Sequence, residues 1–213
     1  MPQTPVRLVC FDLGNVLVRL TNHWLLAFER ALVRVPDGFE DAHPWPGHDD
    51  IFNAFESGRL DESAFFREAS ERVGMQVDHL ESVFDAWLMG LFVGIDALIE
   101  RLAGARVDTA CLSNTNGRHW STLHRVPAYE AVRRLDHHFA SHLIGIMKPD
   151  ERIYRHVEDR TGCPACSILF FDDNEANIRA ATERGWQTCM IDPEDEPAQR
   201  MTEHLESAGI AGF

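Results

Sequence analysis

A short apolar, β-branched run from Val6 to Phe11 reads as a buried strand and ends in the polar turn Asp12-Leu13-Gly14-Asn15. From about residue 21 to residue 103 the apolar positions recur mostly at helical spacing. Trp24, Leu25, Leu26, Phe28, Ala31 and Leu32 mark one amphipathic segment, closed by Pro36-Asp37-Gly38. A loop rich in His, Pro and Asp runs on to Asp50, and Ile51 to Phe55 predicts a short helix. Asp61 is placed to cap a helix through Val73, with Gly74 just past its end. Asp78 opens another helix through Val83, Phe84, Trp87 and Leu88, and Asp96 to Leu102 gives one more.

The pattern then changes. Arg106 to Leu112 reads as a strand, followed by Ser113-Asn114-Thr115-Asn116 and a helix. Ser141 to Ile146 is a weaker strand ending at Met147-Lys148-Pro149, and Asp150 to Arg160 is a helix. Ile168 to Phe171 is a strand ending at Asp172-Asp173-Asn174; Glu175 to Arg184 is a helix stopped by Gly185. Gln187 to Ile191 closes the strands, and Pro197 to Glu206 is a terminal helix. Strands alternating with helices predict an α/β fold, a Rossmann-like parallel sheet with helices on both faces. The long helical stretch between the first two strands predicts an inserted cap. Residues 1–20 and 95–213 are then the core and residues 21–94 the helical cap.

Composition narrows the partners. The chain of 213 residues carries a net charge of −14, so neither a nucleic acid nor an anionic membrane is expected to bind it. No apolar stretch is long enough to span a bilayer, and Met1 to Phe11 has no leader-like pattern. The 5 cysteines are odd in number and scattered, which fits a reducing cytoplasm better than a disulfide framework. Oligomeric state is not written in these patterns. Lys148 is the sole lysine among 20 basic residues, which invites a specific role for a compact ammonium.

Candidate chemistry follows from topology. Asp12, Ser113-Asn114, Lys148 and Asp172-Asp173 each follow a predicted strand. Ligands of open α/β sheets bind outside the carboxyl ends of the strands, so these clusters converge on one edge. Carboxylates with open positions suit a hard cation such as Mg²⁺, which also takes phosphate oxygens. An ammonium and a hydroxyl suit the other phosphate oxygens, and a carboxylate can be a covalent nucleophile. Together they predict phosphoryl transfer through an aspartyl-phosphate.

In order, Phe11-Asp12-Leu13-Gly14-Asn15-Val16, Leu112-Ser113-Asn114-Thr115, Met147-Lys148-Pro149 and Phe171-Asp172-Asp173-Asn174 resemble the four motifs of the haloacid dehalogenase (HAD) superfamily. The inserted segment resembles its small helical cap class. The chain is most similar to the sugar-phosphate phosphatases and the phosphatase domain of soluble epoxide hydrolases, particularly the bacterial α-glucose-1-phosphate phosphatase group. The resemblance implies a HAD-like fold and a Mg²⁺-dependent phosphatase of small phosphorylated metabolites. It implies that Asp12 is nucleophile and metal ligand, with the Gly14 carbonyl as a second ligand. Ser113 and Asn114 would bind the phosphoryl group, Lys148 would neutralise both partners, and Asp173 with Asp172 would complete the metal site. Asp173 is favoured for direct contact, and Asn177 could support the site.

The departure is Gly14, where most phosphatases of this superfamily carry a second Asp as general acid and base. A steep dependence on leaving-group acidity is therefore expected unless the cap supplies a proton, for instance from His43, His48 or Asp49. Trp24, His43, Trp45, His48, Asp49 and Asp50 are the cap candidates for specificity. Two rivals share these motifs: a haloacid dehalogenase, using the same Asp on carbon without a metal, and a non-catalytic phosphate-binding module. Cys163-Pro-Ala-Cys166 precedes its strand and so lies away from the site, and His137, His138 and His142 read as a solvated loop.

Overall fold

The computed structural model describes residues 5–21, 23–40, 47–210 and 212. Two strands open the chain, β1 (Leu8–Phe11) and β2 (Val18–Leu20). Four helices follow, α1 (Trp24–Ala31), α2 (His48–Glu56), α3 (Glu62–Val73) and α4 (Val77–Asp85), and then β3 (Leu88–Leu91). Next come α5 (Ile95–Ala103), β4 (Asp108–Ser113), α6 (Gly117–Arg125), α7 (Glu130–Arg133), β5 (His137–Ala140) and the single turn α8 (Ser141–Ile144). The chain continues through α9 (Glu151–Thr161), β6 (Ile168–Asp172), α10 (Glu175–Glu183), β7 (Gln187–Met190) and α11 (Pro197–Ser207).

Five strands form a parallel sheet in the order β5-β4-β1-β6-β7. Successive side chains of β1 point to opposite faces. Val9 and Phe11 pack into a cluster with Ile95 and Leu98 of α5 and Met201 and Leu205 of α11. Leu8 and Cys10 join Ile153 and Tyr154 of α9 and Ala181 of α10 on the other face. Both faces are covered, which is why these strands read as unbroken apolar runs. No helix among the described residues is long and apolar enough to cross a membrane.

The inserted segment has its own aromatic core. Phe55 stacks on Phe65 with centroids 4.2 Å apart, and Trp24, Phe28, Phe66 and Phe84 fill the rest. Asp61 caps α3 as its position predicts, accepting from the Ala64 N–H at 2.9 Å, and Gly74 ends it at φ 73.

Two features depart from the sequence pattern. The helix expected to run through Leu88 stops at Asp85, and β3 pairs antiparallel with β2 in a two-stranded ribbon. The strand expected over Ser141 to Ile146 lies upstream instead, where His137–Ala140 pairs with β4, so His137 and His138 are not a loop. Ser141 begins a helical turn instead, its hydroxyl bridging backbone groups of two other segments, and Gly145 at φ 82 ends that turn. Lys148 thus sits on a loop rather than at a strand end.

Candidate active site

Three adjacent strands deliver the acidic and hydroxyl groups. Asp12 follows β1, Asp172 ends β6 and Ser113 ends β4, all at the carboxyl edge of the sheet. The Asp12 N–H bonds the Phe171 carbonyl at 2.8 Å, so the chain is still paired where the carboxylate emerges. Oxygens of Asp12, Asp172 and Asp173 lie within 4.8 Å of one another. Lys148 reaches this cluster through its ammonium, 3.0 Å from Asp12 and 2.7 Å from Asp172.

The three carboxylates are held differently. Asp172 is fully buried and accepts from Lys148, from Asn177 Nδ2 at 3.0 and 3.1 Å and from the Asn174 N–H at 2.8 Å. Asp173 accepts from Asn15 Nδ2 at 3.1 Å. Asn15 adopts φ 57, a left-handed conformation that Asn tolerates better than most residues, which lets the loop after β1 fold back over Asp173. Asp12 accepts the N–H of Leu13 at 2.7 Å.

Burial pushes Asp12 up to about 7; Lys148 opposes the rise, while Asp172 and Asp173 add to it. Burial also works against the charge of Lys148, yet Asp12 and Asp172 hold its ammonium above the ordinary lysine range. Three carboxyl groups face one ammonium in a buried place, an excess of acidic groups. An all-oxygen donor set with that excess fits a hard divalent cation.

Asn114 pins the lysine loop. Its Nδ2 donates to the Lys148 carbonyl at 2.9 Å, and its Oδ1 accepts the Lys148 N–H at 2.8 Å. Ser113 is buried beside it. Ser113, Asn114 and Thr115 line a cavity of about 80 Å³ together with Gly14, Phe52, Glu56, Trp87 and His119. The indole Nε1 of Trp87 is buried without a hydrogen-bond partner among the described residues. A Cβ at Gly14 would lie 2.7 Å from Leu20 Cδ1, so the space a side chain there would take is filled by Leu20.

The structure brings together Asp12, Gly14, Ser113, Asn114, Lys148, Asp172, Asp173 and Asn177. It does not bring in Trp24, His48, Asp49 or Asp50, the cap candidates among the described residues. Trp24 is in the cap core, His48 packs against Trp24 and Phe52, and Asp49 and Asp50 are exposed in the first turn of α2. His43 and Trp45 lie outside the described residues. Three contributors escape sequence reasoning: Asn15, Glu56 and Ser141. Asn15 stands inside the first motif and could have been found there. Glu56 and Ser141 carry no local signal, because only the docking of cap on core gives them neighbours. Cys163 is buried and Cys166 exposed just before β6, at the end of the sheet opposite the acids.

A family model described as a haloacid dehalogenase-like hydrolase matches residues 6–185. A curated (S)-2-haloacid dehalogenase of Pseudomonas fluorescens is 33% identical over 96 residues, covering 45% of this chain and 41% of its own. The match thus spans about two-fifths of the curated relative. A predicted HAD-like hydrolase of Porphyromonas gingivalis is similar in structure, with TM-score 0.76 and 23% identity over 95% of this chain and 98% of that one. A HAD family enzyme of Bacteroides thetaiotaomicron, solved with magnesium and inorganic phosphate, has TM-score 0.72 and 21% identity over 89% of this chain and 96% of its own.

Proposed function

We propose, from the fact that this chain belongs to the haloacid dehalogenase-like hydrolase family, that it is a Mg²⁺-dependent phosphatase of a small phosphorylated metabolite. The observation that carries this reading is the buried cluster of Asp12, Asp172 and Asp173 around the single Lys148. A reaction at carbon with halide leaving has no need of three acids. A similarly folded protein solved with magnesium and phosphate supports the same direction. The α-glucose-1-phosphate phosphatase group remains the favoured subgroup, since an anomeric oxygen leaves more readily than an ordinary alkoxide.

Asp12 attacks phosphorus with a carboxylate oxygen, the leaving oxygen departs, and water then cleaves the aspartyl-phosphate. Asp12, Asp173 and the Gly14 carbonyl, with Asp172 beside them, would hold Mg²⁺, which would supply positive charge at the phosphoryl oxygens. Lys148 screens Asp12 from the incoming phosphoryl group and balances its charge. The Ser113 hydroxyl donates to a phosphoryl oxygen. Asn114 has both amide atoms committed to the Lys148 backbone, so its own N–H is the group it offers. Asp172 and Asn177 position Lys148. The net charge of −14 sets nucleic acids and membranes aside as partners, and the free cysteines suit a reducing cytoplasm.

The second reading, a haloacid dehalogenase, is favoured by the curated relative. A panel of phosphorylated metabolites with and without Mg²⁺, run beside halide release from 2-haloacids, separates the two. Mg²⁺-dependent phosphate release is the expected result. Metal-independent halide release without phosphate release would establish the second reading, and Mg²⁺ binding with no turnover would leave a binding module.

A further inference from the structure

We propose that Glu56, brought from the cap, is the acid and base that moves the proton at the leaving oxygen and at the attacking water. The inference rests on the phosphatase reading. It starts from a gap in the core: position 14 offers no side chain, and its space is plugged by Leu20. The proton must come from elsewhere in the cavity that Leu13, Gly14, Ser113 and Asn114 line beside the nucleophile's loop. Glu56 and His119 are the titratable side chains that line this cavity.

His119 is committed. Its Nε2 donates to the Phe84 carbonyl at 3.0 Å, and its Nδ1 lies 3.5 Å from the Asn116 amide. The ring also stacks on Phe84, with centroids 4.4 Å apart. Glu56 is the reverse case. Its carboxylate makes no hydrogen bond or ion pair with the described residues, while its backbone is fixed.

That fixing is specific. Ser141, fully buried at the end of β5, donates its hydroxyl to the Glu56 carbonyl at 2.6 Å. The same oxygen accepts the Thr115 N–H at 2.9 Å, in the loop that carries Ser113 and Asn114. One hydroxyl therefore ties the end of α2 to the phosphoryl-binding loop. Gly58 allows the approach, since a Cβ there would stand 2.3 Å from the His142 carbonyl oxygen. Its φ of 70 also suits glycine. Burial pushes the Glu56 carboxyl up to about 7; nearby Asp12 adds to the rise and Lys148 opposes it. A carboxyl with that affinity donates and accepts a proton near neutral pH.

The step balances. As Asp12 bonds to phosphorus, the bond from phosphorus to the leaving oxygen breaks and that oxygen takes the Glu56 proton. The Glu56 carboxylate then takes a proton from water as the water oxygen attacks phosphorus. Asp12 departs as carboxylate, inorganic phosphate leaves, and Glu56 is protonated again. A halide would need no such proton, so the assignment belongs to an oxygen leaving group. It replaces the steep leaving-group dependence expected from Gly14 alone.

The test uses aryl and alkyl phosphate esters graded by leaving-group pKa, with saturating Mg²⁺, on the native protein, Glu56→Gln and Ser141→Ala. The native protein should show a shallow dependence of kcat/KM on leaving-group pKa. Glu56→Gln should lose about 10²–10⁴-fold on alkyl esters and less than about tenfold on the most acidic aryl ester. That aryl rate also reports that the variant is folded. Pre-steady-state release of the aryl alcohol should show a burst in Glu56→Gln, because the aspartyl-phosphate accumulates. Ser141→Ala should steepen the dependence in the same direction by a smaller factor, and Gly14→Asp with Leu20→Ala should flatten it again in Glu56→Gln. A loss that is equal across the series, or no loss, overturns the role while phosphate release stands. A native protein that releases no phosphate from any ester overturns the phosphatase reading and the role with it.

Discussion

The floor and the roof of this site are built on different principles. On the floor, charged side chains are buried and tied to each other: Lys148 to Asp12 and Asp172, Asp172 to Asn177, Asp173 to Asn15. The roof is a cluster of aromatic rings in which Phe55, Phe65, Phe66 and Phe84 pack edge and face. It meets the core through a few polar contacts, among them Ser141 to Glu56, His119 to Phe84 and Arg118 to Glu62 and Asp85. A buried charge network loses its balance when one member changes, so the floor tolerates little. An apolar cluster fixes shape without fixing charge, so the roof can vary in what it offers the leaving group. On the proposed phosphatase reading, nucleophile and metal chemistry belong to the floor, and selection of substrate to the roof.

The sharpest way to break this division is at the nucleophile. Asp12→Asn keeps the size of the side chain but removes the attacking charge and one metal-binding oxygen. Loss of phosphatase activity should be at least about 10⁴-fold, with circular dichroism and unfolding midpoint showing a folded protein. Near-native turnover in folded Asp12→Asn would move the chemistry off the floor altogether.

A smaller effect tests the seam. His119 lies in α6 of the core and donates to the Phe84 carbonyl of cap helix α4. Burial pulls its imidazole down to about 4, against an upward pull from that carbonyl contact and from nearby Asp85. The folded protein therefore prefers neutral His119. Between about 4 and 6.5 the unfolded chain binds the proton more readily, so the stability from neutral His119 is complete above about 6.5 and lost as pH falls toward 4. The window is worth about 3 kcal/mol. Urea midpoints at several pH values should fall more steeply for the native protein than for His119→Gln, since both share every carboxylate. Parallel slopes would show that the seam does not depend on this ring.

The same division explains what could be read in the sequence. β1, β4 and β6 were legible because burial on both faces leaves an apolar run, and each ends at a polar motif residue. Helix α3 announces itself through Asp61, whose side chain does cap it; Asp150 and Asn174 cap α9 and α10 in the same way. β5 was hidden because its sequence HHFA puts two histidines at the sheet edge. The ribbon of β2 and β3 was hidden because each strand is short and β3 interrupts a helical pattern. Asp12, Ser113 and Asp172 sit at strand ends, so local sequence finds them, and Lys148, on a loop, stands out as the sole lysine. Glu56 sits at the end of an amphipathic helix, where an acidic residue is commonplace. Its place in the cavity that Gly14 lines exists only after α2 has docked on Ser141.

The finest probe of the floor keeps the charge and changes only its shape. This sequence uses Arg for all of its basic residues except Lys148, so a charge alone would have tolerated Arg there too. The Lys148 side chain is 1% exposed, and its ammonium touches Asp12 and Asp172 and lies 5.4 Å from the centre of the Phe170 ring. A guanidinium is wider, planar and prefers paired contacts to a single carboxylate. To enter, it must part Asp12 from Asp172 or withdraw from one of them, and either movement displaces the nucleophile. Lys148→Arg should lose at least about tenfold in kcat/KM, or about 1.4 kcal/mol of transition-state stabilisation. The loss should appear on aryl and alkyl esters alike, because this charge serves the phosphoryl group rather than the leaving oxygen. That uniform loss distinguishes the floor from the roof, where removal of Glu56 acts on poor leaving groups first. An unchanged kcat/KM would mean that charge at this point suffices and that its shape is free.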